Sequence, residues 1–160
     1  MMIRPASRDD AAAIAALLLP EIAAGETYAL PRDMSAAAAV AHWCGPDRET
    51  FVIEEEGRLF GSYYLRANQS GGGDHVANAG YMVDPAVRGR GVARAMATDS
   101  FDRARAAGFT AMQFNFVVSS NARAVALWQA LGFAIVGRLP GAFRHPTLGP
   151  VDALVMFRSL

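Results

Sequence analysis

Residues 81–93 read Tyr-Met-Val-Asp-Pro-Ala-Val-Arg-Gly-Arg-Gly-Val-Ala, and no other segment limits the fold so tightly. Asp84-Pro85 closes an apolar run that predicts a strand over Val76–Val83. From Gly89 to Ala107 the pattern is helical, with Val92, Met96 and Phe101 on or near one face and Gly108 at the end. Strand, turn and glycine-bearing helix start therefore follow one another directly. The first amides of a helix lack internal partners, and glycine lets an anion approach them closely. The helix dipole favours negative charge at the same place. Arg88, Arg90 and Arg94 add positive charge. Together these features predict a cradle for a phosphate or pyrophosphate. A Walker loop is excluded, because it needs lysine and all 15 basic residues are arginine. A dinucleotide fingerprint fails as well, since its third glycine position holds Arg94.

The remaining chain supplies the elements around this segment. Ile3–Ala6 reads as a short strand, and Ser7 as the cap of a helix with Ile14, Leu17 and Leu18 on its stripe, ending near Pro20. Gly25–Pro31 reads as a loop, and Ser35 caps an alanine-rich helix over Ala36–Trp43. Strands over Thr50–Glu55 and Arg58–Arg66 turn at Glu56-Gly57. Gly71-Gly72-Gly73 predicts a mobile loop before the Val76–Val83 strand, in which Gly80 marks a bulge. In Ala111–Val118, Met112, Phe114, Phe116 and Val118 alternate with Gln113, Asn115 and Val117. Ser120 or Asn121 caps a helix to Leu131 that Gly132 stops. Strands over Phe133–Gly137 and Val151–Phe157 end the chain, with Arg138–Pro150 irregular between them. This is a mixed α/β pattern in a single domain over residues 1–160.

Composition narrows the function classes. A net charge of +0 gives no global attraction to nucleic acid or to an anionic membrane, and neither is expected as a partner. The apolar run Ala11–Leu19 is too short to span a bilayer, and Met1–Asp10 lacks an export signal. One cysteine, Cys44, fits a reducing cytoplasm. The lysine-free, alanine-rich usage matches a GC-rich bacterial genome. No His/Cys/Asp cluster has metal-ligand spacing, so no metal is expected.

A second segment, Asn121-Ala-Arg-Ala-Val-Ala-Leu-Trp-Gln-Ala-Leu-Gly-Phe133, gives the first its context. Taken together, the two resemble the GCN5-related N-acetyltransferase (GNAT) superfamily. Arg88-Gly89-Arg90-Gly91-Val92-Ala93 matches its acyl-CoA signature, Gln/Arg-x-x-Gly-x-Gly/Ala. Asn121, Ala124, Leu127, Gly132 and Phe133 match its later motif, Asn-x-x-Ala-x-x-Leu-Tyr-x-x-x-Gly-Phe. The resemblance covers almost the whole chain. It implies a mixed, mostly antiparallel twisted sheet of about seven strands, flanked by helices, with splayed central strands. It also implies acetyl-CoA as co-substrate and a small-molecule amine as acceptor, with a homodimer as the common assembly. The amides of Arg88, Gly89, Arg90, Gly91, Val92 and Ala93 would hold the pyrophosphate. Met82 and Val83 would pair by backbone with the pantetheine arm, and Asn121 would contact the cofactor or its waters.

Two departures bear on catalysis. The family's tyrosine, general acid for the leaving thiolate, is replaced by Trp128, whose indole N–H has no practical acidity. Trp128 is therefore read as a wall of the cofactor slot. The glutamate that many members carry as general base has no counterpart in Val76–Tyr81. Asn78 and Asn115, on the two splayed strands, become candidates for the acceptor pocket. A narrower resemblance, to a branch containing fungal azetidine-2-carboxylate N-acetyltransferases, gives asparagines at these positions that role. His75, next to Asp74, is a candidate base. His145 lies in a segment able to close over the pocket, and His42 reads as structural. Two alternatives remain open at this point, an acyl-CoA-binding sensor or scaffold without turnover and a protein N-acetyltransferase.

Overall fold

The computed structural model describes all residues from Met1 to Leu160. Its elements are β1 (Met2–Pro5), α1 (Ala11–Ala24), α2 (Ala36–Trp43), β2 (Glu49–Glu55), β3 (Arg58–Ala67), β4 (Val76–Val83), α3 (Val92–Ala106), β5 (Ala111–Val118), α4 (Ala122–Ala130), β6 (Ala134–His145) and β7 (Gly149–Ser159). One seven-stranded sheet has the order β1-β2-β3-β4-β5-β7-β6. All neighbours are antiparallel except β4 and β5, which run parallel.

That parallel pair decides where a site can form. β4 and β5 pair only at Val76↔Ala111 and Ala77↔Met112 and then part. Both are followed by helices, so α3 and α4 start at the open end of the gap. Clefts of this kind, beyond the carboxyl ends of parallel strands and beside helix N-termini, are where α/β proteins bind ligands.

Strand alternation sends side chains to two cores. On one face Tyr63, Met96, Phe101, Phe114, Trp128 and Phe133 pack with α3 and α4. On the other Ile14, Leu18, Ile22, Trp43, Tyr64 and Met82 pack with α1 and α2. Ser62 is fully buried among them, yet it is satisfied: Trp43 Nε1 donates to its hydroxyl at 2.9 Å, and the hydroxyl donates to the Phe51 carbonyl at 2.7 Å. Arg4 joins β1, β2 and the approach to α1 by bonding Asp10 at 2.8 Å and Glu54 at 2.9 Å.

Several boundaries differ from the sequence expectation. α1 continues through Pro20 to Ala24, because Pro20 lies on the exposed side while Leu18 and Ile22 are buried around it. α3 starts at Val92 rather than Gly89, since Gly89 and Gly91 take left-handed φ of 87° and 79° that a helix does not use. Gly80 is no bulge: β3 and β4 pair without a register shift across it. It is glycine because an added Cβ would stand 2.5 Å from Cε1 of the Tyr64 ring. The triple glycine forms a short 3₁₀ turn over Gly71–Gly73 instead of an unstructured loop. β5 shifts register between Phe114 and Val117, which breaks the alternation and leaves Phe116 exposed against Phe143. Arg138–Pro150 is not irregular but forms the turn half of a long β6–β7 hairpin. Register shifts between Ile135 and Gly137 and between Leu139 and Phe143 let the edge strand accommodate Pro140.

Candidate active site

The loop before α3 has the shape expected of an anion cradle. Arg88 N donates to the Pro85 carbonyl at 3.3 Å and Arg90 N to the Val87 carbonyl at 3.2 Å. The first helical bond comes from Ala95 N to the Gly91 carbonyl, at 2.9 Å. The amides of Gly89, Gly91, Val92, Ala93 and Arg94 therefore have no backbone partner. Cβ atoms built at Gly89 and Gly91 would meet nothing within 4 Å, so the space beside those amides is open. The donor set fits a pyrophosphate. It corrects the sequence reading in one respect, since the amides of Arg88 and Arg90 are already used within the turn. The side chains of these two arginines are also engaged. Arg88 pairs with Glu21 at 3.0 Å, and Arg90 pairs with Glu55 at 2.8 Å while lying over the Phe60 ring. Arg94 has no such carboxylate partner.

The pairing of β3 with β4 fixes which backbone groups face the gap. Asn68 N bonds the Val76 carbonyl and Asp84 N the Phe60 carbonyl, so these are hydrogen-bonded pairs of the ladder. Counting by twos, Asn78, Gly80 and Met82 direct their backbone groups to β3, and Met82 is opposite Ser62. Ala79, Tyr81 and Val83 direct theirs towards β5. Val83 is thus placed for backbone pairing with a ligand arm and Met82 is not; Tyr81 takes its place.

Side chains occupy the apex of the gap. Asn78, 7% exposed, donates from Nδ2 to the Gln113 carbonyl at 2.9 Å, where the next backbone rung would have been. Its Oδ1 faces Arg66 Nε at 3.5 Å, and Arg66 also reaches Asp47 at 3.1 Å. Asn115 is exposed, donates to Asn68 Oδ1 at 2.7 Å and accepts from Gln113 Nε2 at 2.9 Å. The structure therefore brings Asn78 and Asn115 to the same side of the gap. Asn68, Gln113 and Arg66 complete the group, although no local motif marks them. Beside Asn68 lies a hollow of about 460 Å³, also lined by Asp47, Gln69, Ser70 and Asp74.

Trp128 closes the gap from the α3/α4 face, with its ring 5.0 Å from that of Tyr81 and 4.8 Å from that of Phe114. Asn121 caps α4, accepting from Ala124 N at 3.3 Å through Oδ1. On the opposite face Tyr28, in the α1–α2 loop, donates its hydroxyl to the Tyr81 carbonyl at 2.6 Å. Burial pushes the Tyr28 phenol above its ordinary pKa, so it remains a neutral donor. His75 is not brought to the gap. It is exposed at the paired end of β4, where its carbonyl accepts from Thr110 N. His145 Nδ1 accepts from Thr147 N and Leu148 N, which fixes the β6–β7 turn. His42 stands near Arg48 and Arg66, and burial together with those charges lowers its pKa.

A sheet split between two parallel strands, with a glycine-built amide cradle at its open end, defines an acyl-CoA-type transferase architecture. A model of the Acetyltransferase (GNAT) family matches residues 17–133, and the chain belongs to that family. The chain is similar in structure to a GCN5-related N-acetyltransferase from Kribbella flavida, with a TM-score of 0.93 and 43% identity over 99% of this chain and 97% of that one. N-acetyltransferase aca1 of Schizosaccharomyces pombe is 33% identical over 113 residues. That match covers 69% of this chain and 53% of aca1, so the chain spans about half the length of this relative. A phosphinothricin acetyltransferase from Sinorhizobium meliloti, solved in complex with AcCoA, shares the fold at 21% identity. Its TM-score is 0.86, with 99% of this chain and 88% of that one covered.

Proposed function

We propose that the chain is an acetyl-CoA-dependent N-acetyltransferase acting on the amine of a small molecule, by direct attack within a ternary complex. The observation that carries this reading is the pairing of an open amide cradle with a gap whose two faces differ. The α3/α4 face is aromatic and the α1/α2 face is lined by carboxamides. Acetyl-CoA would supply the acetyl group as a thioester, and as the amine nitrogen bonds the acetyl carbon the carbon–sulfur bond breaks and a thiolate leaves. The free amides from Gly89 to Arg94 meet the phosphate charge, with the α3 dipole behind them. The gap-facing N–H groups of Tyr81 and Val83 are placed to hold the arm and to polarise a carbonyl. Trp128 walls the slot against water. It supplies no proton, and a CoA thiolate is a good enough leaving group to depart without one. The amine loses its proton to water, because β4 carries no carboxylate between Val76 and Val83 to take it. Positioning therefore carries much of the catalysis.

The hollow beside Asn68 is polar and open to solvent, so a polar acceptor can reach the carboxamide side of the gap. The chain is also proposed to form a homodimer through β6, a twelve-residue edge strand that exposes Ile135, Val136 and Leu139. The test is thiol release from acetyl-CoA across an amine panel, with the N-acetylated product identified by mass. Turnover supports the reading. Acetyl-CoA binding without turnover would favour a binding-only role, to which Trp128 in place of a tyrosine also points.

A further inference from the structure

Each carboxamide oxygen near the gap already holds one donor. Asn78 Oδ1 faces Arg66, Asn115 Oδ1 accepts from Gln113, and Asn68 Oδ1 accepts from Asn115. A nucleophilic amine must keep its lone pair for carbon, so the protein has to hold it by an N–H, and that needs an acceptor atom. Tyr28 has one. A phenol carries a single proton, and this one is given to the Tyr81 carbonyl, so the oxygen is left to accept only.

The position of Tyr28 is fixed. Its ring meets Trp43 edge-on at 6.1 Å, and Arg32 Nε holds the loop by donating to the Ala23 carbonyl at 2.8 Å. Tyr81 is three residues beyond Asn78 and its carbonyl faces the gap, so the phenol reaches the split about 10 Å above its apex. It stands on the α1/α2 face, opposite Trp128.

We infer that Tyr28 is the acceptor-positioning residue, holding an N–H of the incoming amine on its phenol oxygen while its own proton is anchored on the Tyr81 carbonyl. The inference rests on the N-acetyltransferase reading. As the carbon–nitrogen bond forms, nitrogen gains positive charge and its N–H becomes a stronger donor. The bond to Tyr28 is then tighter in the transition state than in the ground state, and its loss falls on kcat. The departing proton goes to water and not to the phenol, whose raised pKa and single donated hydrogen suit it to hold rather than to shuttle.

The test is Tyr28→Phe, which keeps the ring on Trp43 and removes only the hydroxyl. Glycine, glycinamide and benzylamine serve as acceptors, with acetyl-CoA affinity measured separately by calorimetry. The expected result is a drop in kcat of about 10- to 100-fold, with acetyl-CoA Kd within about twofold of wild type. Losing one buried hydrogen bond should lower Tm by no more than about 6 °C. An unchanged kcat overturns the inference. So does a fall in acetyl-CoA affinity that matches the fall in kcat, because the hydroxyl would then only shape the β4 edge. A wild type that binds acetyl-CoA and acetylates none of the three overturns the N-acetyltransferase reading and this inference with it, whereas turnover insensitive to Tyr28→Phe removes this inference alone.

Discussion

Gly91→Glu isolates the cradle. Gly91 has φ +79°, and nothing lies within 4 Å of the Cβ it lacks. A side chain there meets no steric clash, so the stability cost is the backbone penalty of a left-handed residue, about 1–2 kcal/mol. For a chain of this size that lowers Tm by roughly 2–8 °C. The effect on ligand is separate. The carboxylate would stand in the space served by the amides of Gly89, Gly91, Val92, Ala93 and Arg94. Taking about 5 Å to a phosphate charge and an effective dielectric near 20, the repulsion is about 3 kcal/mol, or roughly 150-fold in Kd. Gly91→Ala carries the same backbone strain without the charge and serves as the control. Calorimetry with CoA on both variants reads the difference, which should shrink as salt rises. If Gly91→Glu binds CoA within about threefold of Gly91→Ala, the cradle is not where the phosphates sit.

Asn115→Ala should lower kcat/KM for the amine by roughly tenfold and leave acetyl-CoA affinity unchanged, because it opens the Asn68–Asn115–Gln113 chain on the acceptor face. Steady-state kinetics beside calorimetry reads both. Trp128→Phe should keep kcat within a few-fold, since the indole fills the wall and gives no proton; a loss of several orders would assign it a chemical role. The acid limb of stability should depend on Arg4. Its guanidinium holds the Asp10 carboxyl well below the usual carboxylate range, against burial that acts the other way. A depressed pKa contributes stability that is complete above the unfolded value near 4 and is lost as pH falls through the folded one. Arg4→Met should therefore flatten the loss of Tm below about pH 4, as a melting series in acid would show.

The motif-bearing parts of the fold were legible because they are local. Arg88–Ala93 and Asn121–Phe133 carry their spacing along the chain, and the structure puts the first at the start of α3 and the second on α4. The β6–β7 hairpin is hidden in the sequence because Pro140 and the glycines look like loop residues, while an edge strand with register shifts tolerates them. The engagement of Arg88 and Arg90 was hidden for another reason. Their partners, Glu21 and Glu55, lie on α1 and β2, far away in sequence. Tyr28 had the same obscurity, one residue in the Gly25–Pro31 loop whose hydroxyl matters only because β4 and β5 part beside it. Which of Met82 and Val83 faces the gap needed the β3 register, and composition does not carry it.

The gap between β4 and β5 is proposed to join a bound acetyl donor to a small amine. Thiol release from acetyl-CoA, followed in the same reaction by mass detection of the N-acetylated amine, tests it most directly. The expected result is amine-dependent release with one acetylated amine formed per thiol. Saturable acetyl-CoA binding with no amine-dependent release would contradict it.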